Sequence, residues 1–396
     1  MKCKLCNGSI EVNTNKFLSM MTPTGYPLDG GLSIGVCRNC DFVFNLGSSV
    51  EQDYDRYYLT LNKHNKRSPN HLEIDVIYFK QLIEFININA QFNLIGKKIL
   101  DFGSATNIMS EILLGNGVQS VVNFDYGQSE TDTTEFDLII STHTFEHILD
   151  VRKTFEQLLK LLKVGGLIVI AVPDLSSYFE TYYGPFAQFD LEHINHFTEN
   201  SLTLLFESCN VNKISTRKSE RLVGPFLAYS EVLIIGRKEL GEFKKDKIST
   251  LTQTSLDKLF LKYEKDMELM YESFENHISL AEKNNRVIFS FYGLSSYTFR
   301  FFNMIQDLGQ FQKISFFGDS DSRLKEFNYL DKPILDKDEF FKIVTEFTKK
   351  GYIFFIFVCV INYQGILKML EEFADNGNVK VVRLEPETQN RLETIS

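Results

Sequence analysis

The sequence has no tryptophan, and its positive charge falls short of its acids. Lys and Arg number 42 against 52 Asp and Glu, a formal charge of −10. That deficit argues against a general binder of the phosphate backbone, although it leaves room for a local basic patch. No apolar stretch reaches the roughly 18–20 residues that a membrane helix needs. The longest, Tyr352 to Ile361, fits a strand buried on both faces. The opening Met-Lys-Cys-Lys-Leu-Cys has no apolar h-region, so no secretory signal and a reducing cytoplasm are expected. In that compartment the six cysteines read as thiols or metal ligands, not disulfides. No internal repeat recurs at a fixed period of roughly 20–50 residues. What is there is a soluble globular balance, 43% hydrophobic and 24% charged, which excludes wholesale disorder. The 396 residues suit two to three domains. Phe is abundant at 36, which says more about codon composition than about function.

Four cysteines crowd into the first 40 residues. Cys3 and Cys6 form one C-x-x-C, and Cys37 and Cys40 form another, each beside Gly or Asn (Asn7-Gly8, Asn39). The loop signature Thr22-Pro-Thr-Gly-Tyr-Pro lies between them. Two such pairs suit one Zn²⁺ held tetrahedrally by four thiolates, each pair gripping the ion from one turn. A closed four-sulfur site has no open coordination position, so its role is structural. The competing reading is a redox pair or plain buried thiols. Cys209 and Cys359 fall in helix and strand patterns and read as small buried hydrophobes.

Residues 41–65 are polar and Tyr-rich, a linker with some helix. From Lys98 the texture becomes strand–helix alternation. Ile99-Leu100-Asp101 ends a strand, Met109 to Leu114 is a helix, and Val118 to Phe124 and Phe136 to Ile140 are strands. Arg152 to Lys163 is an amphipathic helix with Phe155, Leu158, Leu159 and Leu162 on one stripe, stopped by Gly165-Gly166. Leu167 to Val172 is a strand ended by Pro173, Leu202 to Phe206 a helix and Phe226 to Ile235 a strand. This order implies an α/β fold with a mostly parallel sheet covered on both faces. Spacings of three and four from Leu256 to Phe274 mark one long helix, a connector. A second α/β unit starts at Arg286, with strands at Val287, Ile314 and Tyr352.

Ile99-Leu-Asp101-Phe-Gly103-Ser104-Ala-Thr-Asn107 follows a strand and opens a helix, and small residues there let backbone approach a ligand. Asp125, 22 residues after Gly103, ends the next strand where an acid can accept from ribose hydroxyls. Glycines are replaced by Ala105 and Asn107, so the loop alone is a weak signal. Next come Phe136-Asp-Leu-Ile-Ile-Ser-Thr-His143-Thr-Phe-Glu146-His147 and, after a helix, Val164-Gly-Gly-Leu. In this order they resemble the Rossmann-like core of the class I S-adenosylmethionine-dependent methyltransferases. The resemblance implies that Asp101 and Gly103 hold the methionine end of the cofactor, that Ser104 also binds the cofactor, that Asp125 holds its ribose, and that His143 lies near the sulfonium. Glu146 and His147 read equally as helix-start packing and capping. The ten residues Tyr126 to Glu135 are too few for the helix and third strand usual in that family, so the sheet is expected to be shortened on that side.

Beyond Pro173 stands Phe186-Ala-Gln-Phe-Asp-Leu-Glu192-His193-Ile-Asn195-His196-Phe-Thr198. An acid beside a histidine can serve as a general base and its orienting partner. Taken with the cysteine pairs, the cofactor loop and a second Rossmann-like unit, the chain resembles the zinc-containing sugar C-methyltransferases that act on nucleotide-linked keto-deoxysugars. By that resemblance Glu192 and His193 are catalytic together with a tyrosine, Tyr57 or Tyr58. The implied organisation is a zinc module and linker over 1–66, a methyltransferase core over 67–240, a helical connector over 241–285 and a Rossmann-like domain over 286–396. In the last, Phe317-Gly-Asp319-Ser-Asp321 follows a degenerate glycine loop, Tyr292-Gly293-Leu-Ser-Ser, which suits framing the sugar-nucleotide site better than binding a second dinucleotide. The implied cofactors are S-adenosylmethionine and one structural Zn²⁺. The implied partner is a nucleotide-linked sugar, not nucleic acid or a membrane. The alternatives are a sugar O-methyltransferase or a cofactor-impaired binding or assembly protein.

Overall fold

Short strands flank the cysteine turns. The computed structural model describes residues 2–17, 22, 28, 30–48, 50–61, 69–104, 106–124, 135–180, 184–224, 227–240, 253–329, 331–360, 364–374 and 377–385. Pro23 to Pro27 of the loop signature lie outside them. Strands β1 (Ile10–Phe17), β2 (Leu32–Cys37) and β3 (Val43–Asn45) are followed by helices α1 (Glu51–Leu61) and α2 (Pro69–Ala90). Then come β4 (Lys98–Phe102), α3 (Ile108–Gly115), β5 (Ser120–Phe124), β6 (Phe136–Thr142), α4 (Val151–Leu161) and β7 (Leu162–Pro173). The series continues with β8 (Asn195–His196), α5 (Glu199–Ser208), β9 (Val211–Gly224) and β10 (Leu227–Lys238). The chain divides into two units, the first comprising Met1–Lys16, Ser33–Thr181 and Glu192–Thr252.

The main sheet of the first unit has the order β5-β4-β6-β7-β10-β9. β5, β4, β6 and β7 run parallel, whereas β10 is antiparallel to both β7 and β9. The apolar runs that form the inner strands bury both faces. Leu100, Ile139, Ile168, Ile170, Val232 and Ile234 pack with Leu158 of α4 and Leu205 of α5 on one side. Their alternates Ile99, Leu138, Ile140, Val169, Leu233 and Ile235 pack with Leu82 of α2 and Leu113 of α3 on the other.

Two differences from the sequence reading have local causes. The Asp150 carboxylate caps α4 at Lys153 N (3.0 Å), but the helix stops at Leu161 and β7 begins at once. Gly165 and Gly166 do not end the helix; they sit inside the strand, where pairing jumps from Phe136–Leu162 to Leu138–Leu167. Gly165 has φ +79°, and a Cβ on Gly166 would lie 2.9 Å from Lys163 O, so glycine accommodates this irregularity. β9, which carries no apolar run, is an edge strand of Asn, Lys, Arg, Ser and Glu, the composition that blunts an exposed edge.

A smaller sheet has the order β1-β2-β3-β8, so its last strand comes from far along the chain. Cys3, Leu5, Cys37, Cys40, Phe42 and Phe44 share one apolar cluster with Phe145, Val151, Phe197 and Leu202.

The second unit comprises Phe17–Leu32, Tyr182–Leu191 and Gln253–Ser396. Its elements are α6 (Gln253–Ala281), β11 (Val287–Tyr292), α7 (Ser296–Asp307), β12 (Ile314–Asp319), β13 (Asn328–Tyr329), β14 (Lys332–Asp336), α8 (Lys337–Lys349), β15 (Ile353–Val358), α9 (Gln364–Ala374) and β16 (Val379–Arg383). The sheet order β13-β14-β12-β11-β15-β16 is parallel except for β13, a second Rossmann-like arrangement. The expected α/β class, with two Rossmann-like sheets and an N-terminal cysteine cluster, is what the chain adopts. α6 lends Met270, Phe274 and Ile278 to the core of this second sheet, against Phe291 and Phe357.

Candidate active site and metal centre

In the first unit the strand order reverses between β4 and β6, and open α/β sheets bind ligands outside the carboxyl ends of strands at such a point. β4 ends in Asp101, which is buried, and Phe102. Gly103 turns the chain with φ +84°, and a Cβ there would sit 2.0 Å from Thr144 Oγ1 and 2.8 Å from Thr144 Cβ. Glycine at this position therefore lets the loop after β4 close on the loop after β6. The N–H groups of Gly103 and Ser104 donate to Phe124 O (2.8 and 3.2 Å), so they tie the loop to β5 and do not form an open anion cradle. The Ser104 hydroxyl donates to Thr106 O at 3.3 Å. Asp125 lies outside the described residues, as do Ala105 and all of the short segment but Glu135. Among the described residues, β5 is the outermost strand on that side.

His143 stands at the end of β6 with φ +51°, a left-handed backbone fixed by its N–H bond to Ala171 O at 2.8 Å. Its ring lies between two carboxylates, with Nδ1 3.3 Å from Glu146 Oε1 and Nε2 3.0 Å from Glu231 Oε2. Glu231, on β10, also accepts from Tyr78 OH (2.5 Å), Arg217 (3.3 Å) and Ser219 (3.4 Å). Arg221 pairs with Asp75 at 3.6 Å and stacks over Tyr78, 4.2 Å from the ring centre. Burial alone would lower the imidazole pKa, but the two carboxylates more than offset it and the net shift is upward. Burial would likewise raise both carboxyls, yet the bonds to His143 hold Glu146 and Glu231 at about 2. The sequence reading missed Glu231, Arg217 and Tyr78. The available signal was one carboxylate opening the apolar run Glu231-Val-Leu-Ile-Ile.

A second group adjoins the first through Glu146. Phe145–His147 is a short 3₁₀ turn, and Glu146 is buried in it. His147 Nδ1 lies 2.9 Å from Glu192 O. A carbonyl only accepts, so Nδ1 carries the hydrogen, and Nε2 lies 4.0 Å from Glu146 Oε1. The Asn195 amide donates to Phe145 O (3.1 Å) and Ile148 O (2.5 Å), which ties the same two segments together again. Tyr57, on α1, donates its hydroxyl to Glu192 Oε1. The Tyr58 ring stands edge-on to His147 at 6.3 Å and 5.1 Å from Tyr57. The His193 ring is 5.0 Å from that of His147. The residues named from sequence, Glu192, His193, Tyr57 and Tyr58, thus come together, with His143 joined to them through Glu146. His147, left between two readings at the sequence level, lies among them.

The four N-terminal cysteines also meet. The sulfurs of Cys3 and Cys40 are 3.6 Å apart and those of Cys6 and Cys37 are 3.4 Å apart. A tetrahedral ion with metal–sulfur bonds of about 2.3 Å would set its sulfurs about 3.8 Å apart. Both turns carry the same hydrogen bonds. Asn7 N donates to Cys3 O and Asp41 N to Cys37 O, while Cys3 N and Cys37 N donate to Gly8 O and Phe42 O. Asn7 (φ +59°) and Asp41 (φ +56°) supply the left-handed residue each turn needs. Leu5 N and Gly8 N point at the sulfurs of Cys3 and Cys6, both at 3.4 Å, an arrangement that favours thiolate. The hydrogen bond from Cys40, with backbone help, lowers the Cys3 thiol and raises that of Cys40, and burial raises Cys37, so without an ion Cys3 is the first of these three to become a thiolate. These donors fit a four-thiolate metal site. Cys359 is buried and Cys209 half-buried, and neither belongs to the four-cysteine group.

The sequence model of a methyltransferase domain family matches residues 74–216. That stretch is a methyltransferase domain. It runs from within α2 to within β9 and includes the strands whose switch point carries Asp101, Gly103 and His143. Several solved methyltransferases are similar at low identity. That of magnesium protoporphyrin IX from Synechocystis PCC 6803, with bound S-adenosylhomocysteine, is 10% identical with a TM-score of 0.37 and aligns over 48% of this chain and 100% of its own. The 1,6-didemethyltoxoflavin-N1-methyltransferase of Burkholderia thailandensis is 12% identical with a TM-score of 0.35, over 50% and 96%. An S-adenosylmethionine-dependent methyltransferase of Mesorhizobium loti is 14% identical with a TM-score of 0.31, over 40% and 99%. No curated protein matches the sequence.

In the second unit the Asp319 carboxylate accepts from Leu294 N (2.6 Å) and Asp321 N (2.7 Å). A Cβ on Gly293 would meet Ile366 Cδ1 at 2.7 Å. The glycine loop there is closed by its own acid and covered by an aliphatic side chain.

Proposed function

We propose that this enzyme uses S-adenosylmethionine to methylate a carbon beside a ketone, on a nucleotide-linked keto-deoxysugar, with His193 as the base. The observation that carries the reading is the convergence of Glu192, His193, Tyr57 and His147 beside the switch point of the methyltransferase sheet. Bound S-adenosylmethionine would supply an electrophilic methyl group. Asp101 and Gly103 would hold its methionine end, Asp125 its ribose, and His143 the edge of the pocket nearest the reacting centre. A ketone acidifies the neighbouring C–H. His193 takes that proton, and a tyrosine hydroxyl donates to the enolate oxygen as charge develops on it. Glu192 orients the Tyr57 hydroxyl by accepting its hydrogen, and Tyr57 would serve the enolate by turning that hydrogen from the carboxylate to the substrate oxygen. The carbanion then forms the C–CH₃ bond in line as the methyl leaves sulfur. One Zn²⁺ on Cys3, Cys6, Cys37 and Cys40 holds the N-terminal sheet and takes no part in the chemistry. Cysteines kept as thiolates for a metal suit a reducing cytoplasm. No helix among the described residues is long and apolar enough to cross a membrane.

Two measurements test this reading. Calorimetry with S-adenosylmethionine should show binding to one site. Absence of binding at millimolar cofactor would favour a cofactor-impaired assembly protein. With an inert cofactor analogue in heavy water, a keto-sugar nucleotide should exchange its α-proton in wild type and not in His193→Asn. Turnover without such exchange would mean methylation at oxygen.

A further inference from the structure

The segment that carries Glu192 and His193 runs directly into β8, and β8 belongs to the sheet of the cysteine module. Val43 faces His196 and Phe44 faces Asn195 in an antiparallel pair, and Asn45 N donates to Ile194 O at 2.7 Å. β3 is the second arm of a hairpin with β2, and its turn is the Cys37–Cys40 knuckle itself. The other end of β3 leads into α1, whose Tyr57 donates to Glu192. Glu192 is therefore gripped from two directions by elements that leave the same hairpin. The first knuckle is fastened separately: Lys4 Nζ donates to Leu149 O (2.9 Å) and Arg152 to Leu5 O (2.9 Å), at the start of α4. Beyond β8, Phe197 bridges to Asp174 and accepts from Leu175 N at 2.8 Å, which anchors the strand to the end of β7.

We propose that the four-cysteine module is the platform that orders the Glu192–His193 segment, so that metal occupancy and active-site order are a single coupled equilibrium. A two-residue strand such as β8 has too few hydrogen bonds to stand alone, and an ion joining the four sulfurs would clamp the turn of the hairpin it pairs with, beyond that turn's own backbone hydrogen bonds. Loss of the ion opens the knuckle, β3 loses its register, and both grips on Glu192 slacken. The main sheet shares the core of one face with the module but keeps the core of its α2–α3 face, which contains none of the module's residues, and stays folded. The inference rests on the functional reading above for the meaning of His193, but not for its test.

The experiment compares the full chain with zinc bound, after chelation, after zinc is restored, and as Cys6→Ser, by hydrogen–deuterium exchange read by mass spectrometry. Chelation and Cys6→Ser should speed exchange at residues 43–45 and 192–197 by about tenfold or more, with β4, β6 and β7 still protected and cofactor affinity within a few-fold. Restored zinc should return the protection. Unchanged protection at 192–197 after zinc is lost overturns the proposal, as does loss of protection throughout the main sheet or failure of zinc to restore it. Exchange needs no acceptor substrate, so an error in the sugar or carbon assignment leaves this result standing, and the α-proton experiment reports that error separately.

Discussion

Glu231→Gln perturbs a buried charge with four side-chain partners. The glutamate is fully buried and faces His143, Tyr78, Arg217 and Ser219. Its carboxyl is held at about 2 against an ordinary 4.5. At about 1.4 kcal/mol per unit, that difference is worth about 3 kcal/mol to the folded state. Removing one partner of a buried ion pair costs about 3–5 kcal/mol, and glutamine, which still hydrogen-bonds, belongs at the low end. Denaturant melts at pH 7 should show about 3 kcal/mol lost, or a melting point lower by about 6–12 °C. The sign with pH follows from the depressed value. The carboxylate's contribution is complete above about pH 4.5 and fades as pH falls toward 2, so wild type and variant should converge on acidification. His143 acts oppositely: its raised value gives stability that is complete below 6.5 and fades as pH rises through the folded value. The alkaline decline of wild type should therefore be blunted in Glu231→Gln. A pH 7 difference under about 0.5 kcal/mol, or one that widens on acidification, refutes a charged His143–Glu231 network.

His193→Asn keeps shape and hydrogen bonding but loses basicity, so turnover should fall by about 10²–10⁴ with cofactor affinity within a few-fold, and Glu192→Gln should fall less. Tyr57→Phe removes the hydroxyl that Glu192 holds, and should lower kcat by more than it raises KM if the tyrosine meets the enolate; an effect on KM alone counts against that role. Asp125→Ala should weaken S-adenosylmethionine by about tenfold to a hundredfold in calorimetry, the loss of a charge-assisted hydrogen bond. Freshly purified protein should carry one zinc per chain and Cys37→Ser little; less than half an equivalent in wild type counts against the metal.

The sequence by itself determined what depends on neighbours along the chain. Paired Cys-x-x-Cys turns, each followed by a residue able to turn left-handed, are local devices, and both fold as their spacing suggests. Inner strands such as Leu167 to Val172 and Ile353–Val358, the latter within the apolar run from Tyr352 to Ile361, are legible because burial on both faces leaves an unbroken apolar run. Glu192-His193 and the tyrosines of α1 were visible as residue types in order. Tertiary structure alone decided what depends on partners distant in sequence. β9 is polar because it is an edge, so no apolar run announced it. β8 is two residues long and exists only because β3 pairs with it. Glu231 is 88 residues from His143, and its meaning as the imidazole's counter-charge appears only when β10 is laid beside β7. Likewise Glu192 is 135 residues from Tyr57. Local patterns carry the information for turns and periodicity, whereas the partner of a buried charge is set by sheet order, which no single segment encodes.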